Sequence, residues 1–292
     1  MLTPGVLAQV PGATRGARPD VLPLAGGLTN RSFLVTTAED RFVVRLGTTH
    51  DALLAIDRRA ETVAQRLASA VLVAPPVVHA DVASGLLITK YVEGRTWAAA
   101  DFTDVSRVDR LASQLATLQS IAVREEEGLA TLDPLALARG YVERIARFAP
   151  TEQRSLSRLL AEAEGRARDT GAATRRPVLA HSDLHGSNLV EGGRLWLIDW
   201  EYAGVADPLQ DVACLLAYYP GMEKHAPRLL AALGLGQAAA RESFGATLWL
   251  FQMLVYLWYR ARRVAVVPDA QAQAAERRAA RALRPFVHNG NL

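Results

Sequence analysis

The 292-residue chain is predicted to be an α+β protein of two lobes, an N-terminal antiparallel sheet with one helix followed by a mainly helical C-terminal lobe. Three observations carry this expectation. Residues 20–91 read as short β-rich runs separated by turn residues, with a single helical repeat among them. From residue 105 onward, apolar residues recur at three- and four-residue steps. Within that helical half, residues 177–201 hold apolar runs around two polar clusters, His181-Ser182-Asp183-Leu184-His185-Gly186-Ser187-Asn188 and Asp199-Trp200-Glu201.

Taken in order, Pro4, Gly5, Pro11, Gly12, Gly16 and Pro19 make a loose lead-in with room for one short helix. Asp20 to Ala25 reads as a strand. Ser32 to Thr37 and Arg41 to Leu46 read as a hairpin about Ala38-Glu39-Asp40. Between the first two strands lies Gly26-Gly27-Leu28-Thr29-Asn30. A glycine pair there serves either as a plain hairpin turn or as a loop whose backbone N–H groups face an anion. Arg45 closes the third strand, as a solvated strand end or as a cation for phosphate. The only lysines are Lys90 and Lys224, so a phosphate-binding cation elsewhere must be arginine.

Leu53 to Ala68 is predicted as one helix, with Leu53, Ile56, Ala60, Val63, Ala64 and Leu67 on one face. Glu61 on that helix is the natural partner of Arg45. Pro75-Pro76 ends the segment, and Val77 to Ala80 and Leu86 to Tyr91 follow as strands around Ser84-Gly85. Tyr91-Val92-Glu93-Gly94 then joins an N-terminal lobe, residues 1–92, to a C-terminal lobe, residues 93–292.

In the second lobe, Val105 to Ala122, Leu135 to Phe148 and Glu152 to Arg168 are predicted helices, with Arg124-Glu125-Glu126-Glu127 a solvated loop between. Glu191-Gly192-Gly193-Arg194 is a tight turn between two short strands. Asp207 is placed to cap a helix with Pro208 at its first position. A long helix from Gln237 to Arg263 carries Trp249, Gln252, Tyr256 and Tyr259 as a stripe, either a core face or an aromatic surface for a ligand.

Bulk composition narrows the function classes. Half the residues are hydrophobic and 22% are charged, which suits a sizeable core and argues against wholesale disorder. The formal charge of +3 is not gathered into a run, so nucleic acid is not an expected partner. Cys214 is the only cysteine and sits among apolar residues. A buried thiol and a reducing, cytoplasmic setting are expected. The first residues lack a signal-peptide pattern, and Ala246 to Tyr259, the most apolar stretch, is too short for a membrane span and is interrupted by Gln252.

The polar clusters carry the chemistry. Asp183 and Asn188 lie five residues apart, and Asp199 follows at a strand end. Such an oxygen-rich set suits Mg²⁺ completed by phosphate oxygens. In a kinase, one loop Asp accepts a hydroxyl proton, while an Asn and a later Asp hold metal. Together, Gly26-Gly27-Leu28-Thr29-Asn30-Arg31-Ser32, Arg45, Asp57-Arg58-Arg59-Ala60-Glu61, Ile88-Thr89-Lys90-Tyr91-Val92-Glu93-Gly94, His181-x-Asp183-x-x-x-x-Asn188 and Asp199-Trp200-Glu201-Tyr202-Ala203-Gly204 resemble the choline and ethanolamine kinases of the aminoglycoside phosphotransferase superfamily, over residues 20–260. Thiamine kinases share the last of these motifs.

The resemblance implies a protein-kinase-like fold and transfer of phosphate from ATP, with Mg²⁺, to a small and cationic alcohol. It implies that Asp183 is the catalytic residue and that Asn188 and Asp199 are the metal ligands. Gly26, Gly27, Leu28, Thr29, Asn30, Arg45 and Glu61 would serve the phosphates, with the backbone of Lys90, Tyr91 and Val92 on the adenine edge. Glu201, Tyr202, Trp249 and Tyr256, beside Asp183, would hold the acceptor. Asp211 would brace the catalytic loop and His181 would be structural, with His185 left open. Two departures stand out: Tyr218 where the family usually has an acidic residue, and Gln252 where it tends to have a second Trp. Other readings are a thiamine kinase, an aminoglycoside or other small-molecule phosphotransferase, a nucleotide-binding pseudokinase, and zinc hydrolysis at His181-x-Asp183-x-His185. The last lacks a second cluster, since His50, His79, His225 and His288 are scattered.

Overall fold

The computed structural model describes residues 2–14, 18–24, 29–265 and 270–283, with the side chains of 237–242 and 271 left out of that description. Gly26, Gly27 and Leu28 therefore lie outside the described residues. The chain opens on helix α1 (Pro4–Leu7), capped by the Thr3 hydroxyl. Strands β1 (Asp20–Leu24), β2 (Arg31–Thr36), β3 (Arg41–Leu46), β4 (Val77–Asp81) and β5 (Leu86–Lys90) form one antiparallel sheet in the order β1-β2-β3-β5-β4. Pro23 is tolerated because β1 is an edge strand, where a missing N–H leaves no ladder bond unmade.

The alternation of side chains sorts the two faces of this sheet. Phe33, Val35, Phe42, Val44 and Ile88 are register partners on one face, and Leu2 and Val10 from the N-terminal segment cover them. Arg45 belongs to the other face, opposite Ser32 and Leu87, and there it meets the helix between β3 and β4.

That helix is not the single element expected over Leu53 to Ala68. It is split into α2 (Asp51–Leu54) and α3 (Arg58–Ala70). Ala55 takes a left-handed φ of 60° and ends α2, and Asp57 starts α3 by accepting from Arg59 N and Ala60 N at 2.9 and 3.0 Å. The Asp57 cap was present in the sequence, but the continuous apolar spacing of Leu53, Ile56 and Ala60 concealed it.

Beyond the connection, β6 (Arg95–Thr96) pairs with β8 (Leu189–Gly192), which pairs with β9 (Arg194–Leu197); β7 (Val178–Ala180) pairs with β10 (Gly204–Ala206). Around these small sheets pack α4 (Val105–Gln119), α5 (Pro134–Phe148), α6 (Gln153–Asp169), α7 (Gln210–Tyr218), α8 (Ala226–Ala232), α9 (Gln237–Ala265) and α10 (Ala270–Ala282). Residues of α4, α7 and α8 pack with β7, β9 and Trp200 in one core, and residues of α5, α6 and α10 pack with one side of α9 in a second. The helix after Asp207 starts later than expected, at Gln210. Asp207 caps the preceding turn instead, accepting from Leu209 N at 2.8 Å, and its carboxylate holds Arg175.

Candidate active site

The loop that carries Asp183 leaves β7 and is braced from behind. The buried Asp211 carboxylate at the start of α7 accepts from His181 N at 3.1 Å and Ser182 N at 2.8 Å. Ser182 has a φ of 64°, a conformation that non-glycine residues adopt only when surrounding bonds enforce it. The His181 ring accepts from Asp183 N at Nδ1, so Nε2 carries the proton and donates to Ile198 O at 3.0 Å. Burial pushes the His181 imidazolium down, consistent with a neutral structural ring. Gly186 passes against Trp97, whose N–H donates to the Gly186 carbonyl at 3.0 Å; a Cβ on Gly186 would stand 2.3 Å from the Trp97 oxygen.

This bracing presents the Asp183 carboxylate with three partners. Tyr218 donates its hydroxyl to Oδ1 at 3.1 Å, Asn188 donates its amide to Oδ2 at 3.0 Å, and His185 Nε2 lies 3.3 Å from Oδ2. Burial pushes the Asp183 carboxyl up, but His185 and the Tyr218 hydroxyl outweigh it and hold the group below its ordinary value. Both Asp183 oxygens are thus held by hydrogen bonds. Tyr218, seen in the sequence only as a departure, is in direct contact with it.

Asp199 ends β9's extension with a left-handed φ of 64° and accepts from Arg45 Nη1 at 3.0 Å. Arg45 also pairs with Glu61, so the expected strand–helix ion pair is present and reaches the second cluster. Burial raises the Asp199 carboxyl, with Arg45 opposing and Glu61 adding to the rise. Oxygens of Glu61, Asp199 and Glu201 lie within 4.8 Å of one another; Glu61 and Glu201 are engaged by guanidiniums, which leaves the part-exposed Asp199 as the hard oxygen donor of the three for a cation such as Mg²⁺.

Glu201 stands differently from its expected role. Its side chain is buried, and its carboxylate accepts from Thr29 Oγ1 at 2.7 Å, Asn30 Nδ2 at 2.8 Å and Arg58 Nη1 at 3.3 Å. Burial and Asp199 push its carboxyl up to about 8, with Thr29 opposing. The Thr29 and Asn30 side chains accordingly turn to Glu201. Arg58, given no role of its own within the motif at residues 57–61, bonds Asp51 through Nε and Nη2, Asn30 through Nη2 at 2.8 Å, and Glu61 through Nη1 at 3.0 Å. At the connection, Lys90 N and Tyr91 N donate to the Pro76 and Arg41 carbonyls at 2.9 and 3.0 Å, so neither donor is free for a base.

The expected stripe is divided: Trp249 and Tyr256 belong to the second core, and Tyr259 does not. Trp249 and Tyr256 are 7% and 6% exposed in the core against α5 and α6. The Arg166 guanidinium lies over the Trp249 ring at 4.6 Å, and Tyr256 is pushed up to about 12 by burial and Glu276. The opposite side of α9 turns toward the catalytic loop. Trp258 Nε1 donates to Tyr202 Oη at 2.6 Å and its ring meets Tyr259 edge-on at 4.8 Å; Phe251 meets Tyr218 edge-on at 6.4 Å. Both sides of α9 carry aromatic rings, and α9 packs on two cores. Spacing alone therefore could not tell which side served the site.

The chain is similar to known proteins. The profile of the phosphotransferase enzyme family (APH) matches residues 20–246. Protein LicA of Haemophilus influenzae is 28% identical over 197 residues, covering 65% of this chain but 56% of its own, so the chain spans little more than half the length of that relative. The solved choline/ethanolamine kinase family protein of Mesorhizobium loti superposes with a TM-score of 0.72 at 23% identity, over 96% of this chain and 93% of that one. LicA solved in complex with AMP gives a TM-score of 0.71 at 19% identity, over 94% of each chain. At these identities the solved structures establish the shared two-lobed fold. With the family profile covering both the sheet and the Asp183–Asp199 segment, the chain belongs to the phosphotransferase enzyme family.

Proposed function

We propose that the protein transfers phosphate from ATP, with Mg²⁺, to the hydroxyl of a small cationic alcohol of the choline or ethanolamine type. The observation that carries this reading is the Asp183 carboxylate, held by Tyr218, Asn188 and His185 beside the Arg45–Asp199 pair. Asp183 takes the proton of the acceptor hydroxyl, and holding the carboxylate in one rotamer favours attack from one direction. Asn188 and Asp199 are the residues to hold Mg²⁺, which supplies charge neutralisation at the phosphates. Arg45 is oriented by Glu61 to serve the same phosphates. LicA in its solved complex binds AMP, and here Val92, beside the engaged Lys90 and Tyr91 donors, is the N–H assigned to the adenine edge.

The acceptor's charge has a physical basis. Asp51, Glu61 and Asp199 face two guanidiniums, Arg45 and Arg58, and the Asp183 carboxylate stands against His185, so the carboxylates outnumber the cations and the local field suits a cationic acceptor. Tyr202, Tyr218, Trp258 and Tyr259 are half-buried rather than packed away; Tyr218 bonds Asp183 and Trp258 joins Tyr202 to Tyr259, and these rings are assigned to the acceptor. Ring faces suit an onium group that cannot donate a hydrogen bond. Residues 1–92 are assigned to the nucleotide and 93–292 to catalysis and the acceptor. Dependence on ATP assigns the reaction to the cytoplasm. Mg-dependent ATP turnover with choline, ethanolamine, thiamine and an aminoglycoside tests the reading. Turnover with choline or ethanolamine is expected; an absence of transfer to any alcohol, with nucleotide bound, contradicts it.

A further inference from the structure

The geometry points to Glu201 and Arg58 as positioning residues for the nucleotide: together they anchor Thr29 and Asn30, the end of the loop after β1, onto the catalytic segment. This inference rests on the kinase reading above.

Three features carry it. First, Glu201 is 5% exposed, and among the described residues its carboxylate is bonded by Thr29, Asn30 and Arg58, with both oxygens engaged. A carboxylate closed in this way is poorly placed to meet the acceptor. Second, Thr29 and Glu201 are 172 residues apart in sequence, so the bond at 2.7 Å ties the first lobe directly to the residue two positions beyond Asp199. Third, Arg58 is 8% exposed and fixes Asn30 from the other side. Its Nη2 donates to Asn30 Oδ1 while Asn30 Nδ2 donates to Glu201, so the amide is held in one orientation. Arg58 is itself fixed by Asp51 on α2 and Glu61 on α3, and Glu61 also holds Arg45. One connected set of buried charges thus sets both the loop end and the phosphate-facing arginine. Buried networks of this kind are rigid when all members are satisfied and lose order when one is removed.

The test measures nucleotide binding without metal, so that it does not depend on turnover. The probe is the fluorescent N-methylanthraniloyl derivative of ADP, titrated in EDTA against the full chain. Glu201→Gln and Asn30→Ala are each expected to raise Kd by about tenfold, the order expected from losing one buried hydrogen bond of the link. The double variant should be no weaker than the weaker single, because both remove the same link. In turnover, Glu201→Gln should raise the KM for ATP and leave the acceptor KM in place. Thr29→Val breaks the link from the loop side and gives the same reading if Glu201→Gln fails to fold. An unchanged Kd in folded Glu201→Gln overturns the inference, as do effects of the two single variants that multiply independently. An effect confined to the acceptor KM would make Glu201 an acceptor ligand. One confined to the Mg²⁺ requirement would make it a metal ligand; either also overturns the anchor. Normal nucleotide binding by the parent without transfer to any alcohol sinks the proposed function and leaves the anchor standing. A parent that binds no nucleotide overturns both.

Discussion

Replacing Asp211 by alanine removes both acceptors that hold the turn ahead of Asp183. The carboxylate is fully buried and takes His181 N at 3.1 Å and Ser182 N at 2.8 Å. Each buried donor left without a partner costs about 1–3 kcal/mol, so the two together cost roughly 2–6 kcal/mol. Some of this is offset, because burial already disfavours the charged carboxylate, raising its proton affinity. Against a typical total of about 5–15 kcal/mol, the loss is large. Asp211→Asn keeps one acceptor and turns its NH₂ toward the other donor, so it should cost about 1–3 kcal/mol. Equilibrium urea unfolding followed by tryptophan fluorescence reads this directly. Trp200 is buried with its ring 4.6 Å from that of His181, so it reports on the same region. An Asp211→Ala protein within about 1 kcal/mol of the parent would refute the bracing argument. So would an Asp211→Asn protein as unstable as the alanine variant.

Trp258→Ala should raise the acceptor KM several-fold, since one aromatic face contributes roughly 0.5–2 kcal/mol, and leave the KM for ATP in place. Trp249→Ala should do the reverse of what its sequence position suggested: it should lower stability by about 3–5 kcal/mol, seen in urea, with the acceptor KM of the folded fraction unmoved. Gly186→Ala should abolish most activity, because its Cβ would stand 2.3 Å from the Trp97 carbonyl, whereas Gly193→Ala meets nothing within 4 Å and should cost only backbone strain at its φ of 56°. Asp199→Ala should eliminate the response of turnover to Mg²⁺; an unaltered Mg²⁺ titration would place the metal elsewhere.

The parts of the site that were legible in the sequence are those fixed by short-range geometry. Asp183 and Asn188 share one loop, and five residues of spacing bring the Asn188 amide onto the Asp183 carboxylate. Arg45 at a strand end and Glu61 one turn into the following helix meet because antiparallel strands and a capped helix leave few alternatives. What remained hidden was set by docking between distant elements. No local rule places Ala55 in a left-handed conformation; the packing of α2 against α5 and α9 accompanies it. The engagement of Glu201 depends on Thr29 and Asn30 from the other lobe. Tyr218 was visible as an unusual residue, but its partner became evident only when the end of α7 was set beside the catalytic loop. Of the two readings of the stripe, core face or ligand surface, Trp249 and Tyr256 follow the first, and spacing could not choose because a 29-residue helix packed on two sides carries two aromatic faces.

The central claim is that Asp183 accepts the proton of the acceptor hydroxyl. Asp183→Asn preserves the shape of the side chain and removes that capacity, so single-turnover phosphoryl transfer at saturating Mg-ATP and acceptor isolates the step. A loss on the order of 100-fold or more in the transfer rate is expected, with the Kd for the ADP analogue within about twofold of the parent. Transfer by Asp183→Asn at a rate near that of the parent would contradict it.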